Sequence, residues 1–279
     1  MINSKCLEIE RQTLLQFKSG LSDPAHRLSS WIGDDCYSWV GITCSNDITK
    51  HVVKLDLQNV VILQSYYISS FYTSCDINKA LGGKLDPTLV NLQQLHFLDL
   101  SCNYFNGIHI PEFMGSFQKL EYLSLSQAGF IGIIPHQFGN LSALKFLDLS
   151  YNYIHGNFLI IDNAGWLSGL TSLKYLNLSY VDMSHASNWL SAINMLPSLL
   201  DIHLSECGLH FPTLNLQYLN FTSLSTLDLS ANSINSTLPN WLFNVSNLEY
   251  LYLGDNEFKG KIPSNIQKLD ISQSSLLVL

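Results

Sequence analysis

Seven segments of this 279-residue chain align without gaps over their first nine positions. They begin at Leu92, Phe117, Leu141, Leu170, Leu196, Phe221 and Val245. Five columns across seven segments make 35 positions, and every one is apolar, although hydrophobic residues form only 47% of the chain. The third apolar column falls at Leu98, Leu123, Leu147, Leu176, Ile202, Leu227 and Leu251, in steps of 25, 24, 29, 26, 25 and 24 residues. A chain with that regularity cannot bury its leucines one segment at a time; each coil must hide them against the next. Within each coil the xLxLx stretch alternates, so its leucines point one way and its variable residues the other.

The period and the LxxLxLxxN/C pattern are those of a leucine-rich repeat. The fold class expected is an α/β repeat, a right-handed solenoid with a parallel, concave β-sheet. A later apolar residue (Phe105, Phe130, Ile154, Met183, Leu209, Ile234, Phe258) should close the core behind each strand. Asn103, Asn152, Asn232 and Asn256 sit where a buried amide can satisfy turn backbone. Ala128 and Val181 replace that Asn, so irregularity is expected beside them, and the 29-residue step implies an insertion around Phe158–Trp166.

The ends depart from the repeat. Residues 1–50 read as an N-terminal cap: a helix from Glu8 to Leu21 burying Ile9, Leu14, Phe17 and Leu21, then Trp31, Cys36, Trp39 and Cys44. Residues 51–265 hold the repeats, with HVVKLDL (51–57) as the first strand and an inserted loop at 58–80. Residues 266–279 read as a truncated repeat with no closing cap, which predicts an exposed apolar end.

Composition narrows the function. A net charge of −8 argues against nucleic acid, and no apolar run approaches the ~20 residues that span a bilayer. The first residues lack the apolar stretch of a signal peptide. No GxSxG, HExxH, CxxC, P-loop or kinase signature is present, and the nine histidines show no metal-ligand spacing. The expectation is no catalytic residue, no metal and no cofactor.

CLEIERQTLLQFKSGLSDPAHRLSSW, CYSWVGITC and HVVKLDL together resemble the N-terminal cap of plant leucine-rich-repeat receptors. The linkers Gly132-Ile133-Ile134-Pro135 and Gly260-Lys261-Ile262-Pro263 resemble the plant-specific repeat, and Ser236-Thr237-Leu238-Pro239 is a weaker copy. The nearest subgroup is similar to the receptor-like proteins of plant immunity, such as fungal xylanase receptors and the Cf type. That resemblance implies a glycoprotein ectodomain at the outer face of the plasma membrane, or secreted. It would bind a protein, peptide or oligosaccharide ligand and signal through a co-receptor kinase. A polygalacturonase-inhibitor-like protein and a truncated, non-signalling receptor fragment are the alternatives. The family has adjacent cysteines where Cys36 is here followed by Tyr37, so by the family scheme Cys6 pairs with Cys36 and Cys44 is left alone. A Cys36–Cys44 bridge is the competing pairing, and Cys75 is a candidate partner for Cys44. Cys102 is expected free on the variable face and Cys207 a buried thiol.

The variable strand face is the candidate binding surface. Its first column holds Phe97, Tyr122, Phe146, Tyr175 and Tyr250; its second holds Asp99, Asp148, His203, Asp228 and Tyr252; its third holds Tyr151 and Tyr180. Rings there either pack across strands or serve as anchors beside acidic acceptors. Replacing Tyr122, Phe146 and Tyr175 together by Ala is expected to abolish binding with little loss of folding. Sequons at Asn140, Asn177, Asn220, Asn235 and Asn244 are candidate glycosylation sites, with Asn140, Asn220 and Asn244 in one phase of the repeat.

Overall fold

The aligned leucines do stack inside. The computed structural model describes residues 6–64, 71–210, 216, 218–220 and 222–260. Among these, one nine-stranded sheet carries the repeat strands Val52–Asp56, Phe97–Asp99, Tyr122–Ser124, Phe146–Asp148, Tyr175–Asn177, Asp201–His203, Thr226–Asp228 and Tyr250–Tyr252, all parallel and in sequence order. Register is unbroken: Leu55, Leu98, Leu123, Leu147, Leu176, Ile202, Leu227 and Leu251 pair strand to strand. From Leu55 through Leu227 none of them exceeds 3% exposure. Opposite the sheet, coils return through short 3-10 turns, such as His136–Asn140 or Ala164–Gly169, and one through the helix Trp189–Ile193. These turns stack backbone on backbone. A Cβ at Gly169 would meet the Gly139 carbonyl oxygen at 2.1 Å, so this crossing admits only glycine.

The asparagine ladder explains why register survives where the Asn is missing. Each amide reaches back one coil as well as across its own turn. Asn152 Nδ2 donates to the Leu149 and Leu125 carbonyls, and its Oδ1 accepts from the Ala128 and Phe130 N–H groups. The turn that contains Ala128 is therefore satisfied by its neighbour. Beside Val181 the Cys207 thiol takes that role, donating to the Leu178 carbonyl at 3.1 Å. The expected irregularity at Ala128 and Val181 is absent for this reason. Cys207 is the buried thiol expected, and burial pushes its pKa up strongly.

The cap helix runs Glu8–Gly20 and buries Leu14 and Phe17 as expected, but Ile9 is 63% exposed and Glu10 is inside. Glu10 is held there by the Val52 N–H at 2.7 Å and His51 Nδ1 at 2.9 Å, which docks the helix on the first repeat strand. Trp31 and Trp39 stack at 5.5 Å beneath it. Cys6 is bonded to Cys36, and Cys44 is a buried free thiol whose pKa burial pushes up to about 11.

Two insertions differ from expectation. The extra residues of the long step form a small hairpin, Tyr153–Ile154 against Asn157–Ile160, which begins before the 158–166 window and overlaps its start; Trp166 sits in an ordinary 3-10 turn. The inserted segment after the first strand is a β-hairpin, Val60–Gln64 against Phe71–Cys75. Its base is bonded to the repeats by Cys75–Cys102, so Cys102 is not free and Cys75 is not the partner of Cys44. The truncated repeat at 266–279 and its apolar end lie outside the described residues.

Candidate functional site

Parallel strands in perfect register place equivalent side chains directly above one another. Phe97, Tyr122, Phe146 and Tyr175 accordingly form a continuous stack, with ring centroids 4.1, 4.3 and 4.3 Å apart and planes within 8° of parallel. His203 continues it as a tilted neighbour of Tyr175 at 5.5 Å. Lys54, in the same column of the first strand, closes the other end with its ammonium 4.1 Å from the Phe97 ring centroid. That residue stands at the column position in HVVKLDL, so the alignment could have included it. Asp201 and Thr226 interrupt the column, and Tyr250 stands apart, 47% exposed.

Stacked rings offer their edges to solvent and their faces to one another. Each pair contributes about 0.5–1.5 kcal/mol beyond area burial. Replacing Tyr122, Phe146 and Tyr175 together by Ala therefore also removes sheet stability, contrary to the expectation that folding would be spared.

Beside this stack runs the polar column: Asp56, Asp99, Ser124, Asp148, Asn177, His203, Asp228 and Tyr252. Asp99 is 3% exposed, and its Oδ1 accepts from the Ser101 N–H at 2.9 Å. Asp148 and Asp228 each accept from the N–H and hydroxyl of the serine two residues on. Burial raises the pKa of both Asp99 and Asp148 above the ordinary carboxylate value. Tyr122, whose hydroxyl approaches Asp99, is also pushed up, mainly by burial, and Tyr175 rises to about 12 for the same reason.

The third column, at the turn after each strand, holds Cys102, Gln127, Tyr151, Tyr180, Glu206, Ala231 and Asp255, and all seven have positive φ. There Tyr151 and Tyr180 meet at 4.7 Å, and the Tyr180 hydroxyl donates to Glu206 at 2.6 Å, which pushes its pKa up to about 12.

The inserted hairpin adds residues that the repeat pattern could not assign. Gln58, Val60 and Ser74 join Asp99, Ser124 and Asp148 around a cavity of 280 Å³. On the flank, Asn140 and Asn244 end 3-10 turns in exposed positions, and Asn220 is exposed too. Asn235 is exposed with its amide donating to Glu257; Asn177 lies half-buried in its strand, its Oδ1 accepting from the Ser179 N–H.

The raised carboxyl pKa values have a measurable consequence. A carboxyl that holds its proton more tightly in the folded chain than in the unfolded one favours folding below the unfolded value, near pH 3.9, and this is lost as pH rises through the folded value. At pH 7 the ionised Asp148, facing Asp99, Tyr122 and Tyr175, thus opposes folding. Asp148→Asn keeps the Oδ1 acceptor for Ser150 and is expected to raise the melting temperature at pH 7, with the gain gone by about pH 4. Scanning calorimetry across that range checks it; a gain independent of pH would contradict the burial account.

The comparisons follow this geometry. A leucine rich repeat N-terminal domain matches residues 7–45, and leucine rich repeats match 93–154, 223–245 and 247–277. The receptor-like protein EIX1 of Solanum lycopersicum is 39% identical over 270 residues, covering 92% of this chain and 24% of EIX1. EIX2 of the same plant is 40% identical, covering 95% of this chain and 25% of EIX2. The chain belongs to the plant leucine-rich-repeat receptor-like proteins. This receptor-like chain spans about a quarter of the length of those relatives. Among solved structures it is similar to the Arabidopsis receptor kinase HAESA, crystallised with the peptide hormone IDA and the co-receptor SERK1. That likeness has 26% identity and a TM-score of 0.65, over 93% of this chain and 44% of HAESA. PEPR1 in its complex with AtPEP1 is similar at 25% identity and a TM-score of 0.58, over 94% of this chain and 40% of that one. None of the described helices of the receptor-like chain is long and apolar enough to cross a membrane.

Proposed function

We propose that this chain is the leading part of the ectodomain of a plant cell-surface receptor that takes a protein or peptide ligand on its concave sheet, in defence signalling with a co-receptor kinase. The observation that carries this reading is the strand face itself. It presents stacked ring edges from Phe97 to Tyr175 beside a column of carboxylates, on a scaffold whose leucines leave that face free. Aromatic surface of this kind supplies large contact area at low entropic cost. Relatives of the EIX type and peptide-bound neighbours such as HAESA support the class of ligand. Sugars on Asn140, Asn220 and Asn244 would occupy one flank and keep clear of the sheet.

Binding of a panel of synthetic plant peptide hormones and secreted microbial hydrolases to the secreted chain tests the proposal. Tyr151→Ala with Tyr250→Ala strips two rings that are each 47% exposed and leaves the main stack intact. A panel member should bind the parent chain and lose about tenfold in affinity on this variant, one modest hot spot. A panel without a binder, or a binder indifferent to the variant, would refute the concave-face reading.

A further inference from the structure

The 280 Å³ cavity lies where the inserted hairpin meets the sheet. Its floor is Ser124 and Ser126, 3% and 8% exposed, and its walls include Asp99 and Asp148 on the two strands that flank Ser124. Strand spacing sets those two backbones about 10 Å apart, with a small residue between them. A side chain entering the notch thus meets a carboxylate on either hand.

Among the described residues, no lysine, arginine or histidine lines this cavity. Lys54, the cation of the neighbouring column, is taken up by Asp56 at 2.9 Å and by the Phe97 ring. Asp99 is almost wholly buried; Ser101 holds it from one side, and its Oδ2 meets the Tyr122 hydroxyl at 3.3 Å. A normal O–H···O bond is about 2.5–3.0 Å, so the Tyr122 contact is a long one, and the buried acid that lines the cavity has no cation beside it there. Carboxylates without a countercharge in such a place cost stability, and burial has already raised both acids toward their neutral forms. The chemistry that removes this penalty is a cation with several N–H donors. The edges of Tyr122 and Phe146 beside the notch suit the aliphatic stem that carries it.

We propose that the cavity over Ser124 receives the arginine or lysine side chain of a peptide or protein ligand, held between Asp99 and Asp148. This rests on the reading of the concave sheet as the ligand surface and adds to it the charge that the ligand must present.

Calorimetric titration of the folded chain with acetyl-arginine amide tests it, with acetyl-citrulline amide as the neutral probe of the same shape. The arginine probe should bind at one saturable site and the citrulline probe should not. Asp148→Asn should weaken the arginine probe by about tenfold, the loss of one partly desolvated ion pair. Ser124→Lys should place an ammonium of the chain's own in the notch, abolishing probe binding while the melting temperature holds or rises. Equal binding of citrulline, an Asp148→Asn variant of unchanged affinity, binding only of a neutral sugar such as cellotetraose, or no binding of the arginine probe would each overturn the proposal. Because the probe carries nothing but the charged side chain, its failure leaves the concave-face reading to be judged by the peptide and hydrolase panel.

Discussion

Asn152→Ala should cost this chain about 4 kcal/mol or more, because a single amide completes two coils. Its side chain is wholly buried and serves the Leu125 and Leu149 carbonyls together with the Ala128 and Phe130 N–H groups. Truncation leaves four backbone groups in an apolar interior that water does not enter, at about 1–3 kcal/mol each before relaxation. No other ladder residue can compensate on the preceding side, since that coil holds Ala128 at the equivalent position. Asn256→Ala is the control. Asn256 is only half-buried, and its Oδ1 accepts from the Ile234 N–H alone. Stability in a solenoid is the sum of coils and their interfaces. The Asn152 variant should therefore unfold in two steps, parting near the third aligned repeat. Guanidinium denaturation followed by hydrogen exchange measures both effects. A cost near that of Asn256→Ala, or one cooperative transition at unchanged midpoint, would show that the ladder does not span coils as the geometry indicates.

That ladder also shows how far the sequence could be read. Columns of leucine repeat because every coil faces the same burial problem, so strands, register and core were legible from period alone. The consequence of a missing Asn was not, because the partner that compensates is one coil away and the pattern describes coils singly. Ile9 and Glu10 exchange roles for a related reason. Helical periodicity ranks residues by apolarity, whereas Glu10 is drawn inside by the Val52 N–H and His51, a tertiary partner.

The candidate site divides in the same way. Its stacked column follows from register, which a template supplies, and so the rings and acids stand in the columns that the alignment gave them. The cavity does not follow, because Gln58, Val60 and Ser74 of its lining come from a segment with no repeat. The bridge that fixes this segment joins Cys75 to Cys102, a residue whose φ of +57° turns it out of the strand plane. Spacing cannot reveal such a pairing; it depends on where the hairpin folds back.

The hairpin's attachment predicts the second large effect, from Arg27→Ala. Arg27 belongs to the cap, yet its guanidinium donates to the carbonyls of Leu57 and Gln58 at 2.8 Å and of Lys79 at 3.2 Å, the two feet of the inserted segment. A fourth bond, at 2.8 Å, reaches Asn103 Oδ1 in the first complete ladder turn. One planar group thus ties cap, insertion and repeat together. Burial lowers its pKa from the ordinary value, while Asp23 and Asp56 oppose that shift; the group stays charged throughout the stable pH range. Removing it strands three carbonyls, and the expected loss is about 2–4 kcal/mol. Arg27→Lys should recover little, because one ammonium cannot reproduce a fork that reaches both feet. The disulfide still holds Cys75 to Cys102 in the variant, so the hairpin should stay attached to the repeats while the two feet that Arg27 ties together loosen. Hydrogen exchange should then quicken at Asn59, whose N–H is donated to the Ser101 carbonyl, and at Asp76, whose N–H is donated to the Asn59 carbonyl. Exchange within the strands from Tyr122 onward should stay as it was. Uniformly faster exchange along the whole solenoid would instead mean that Arg27 supports the cap alone, and that the roof over the acidic notch is held by the disulfide without it.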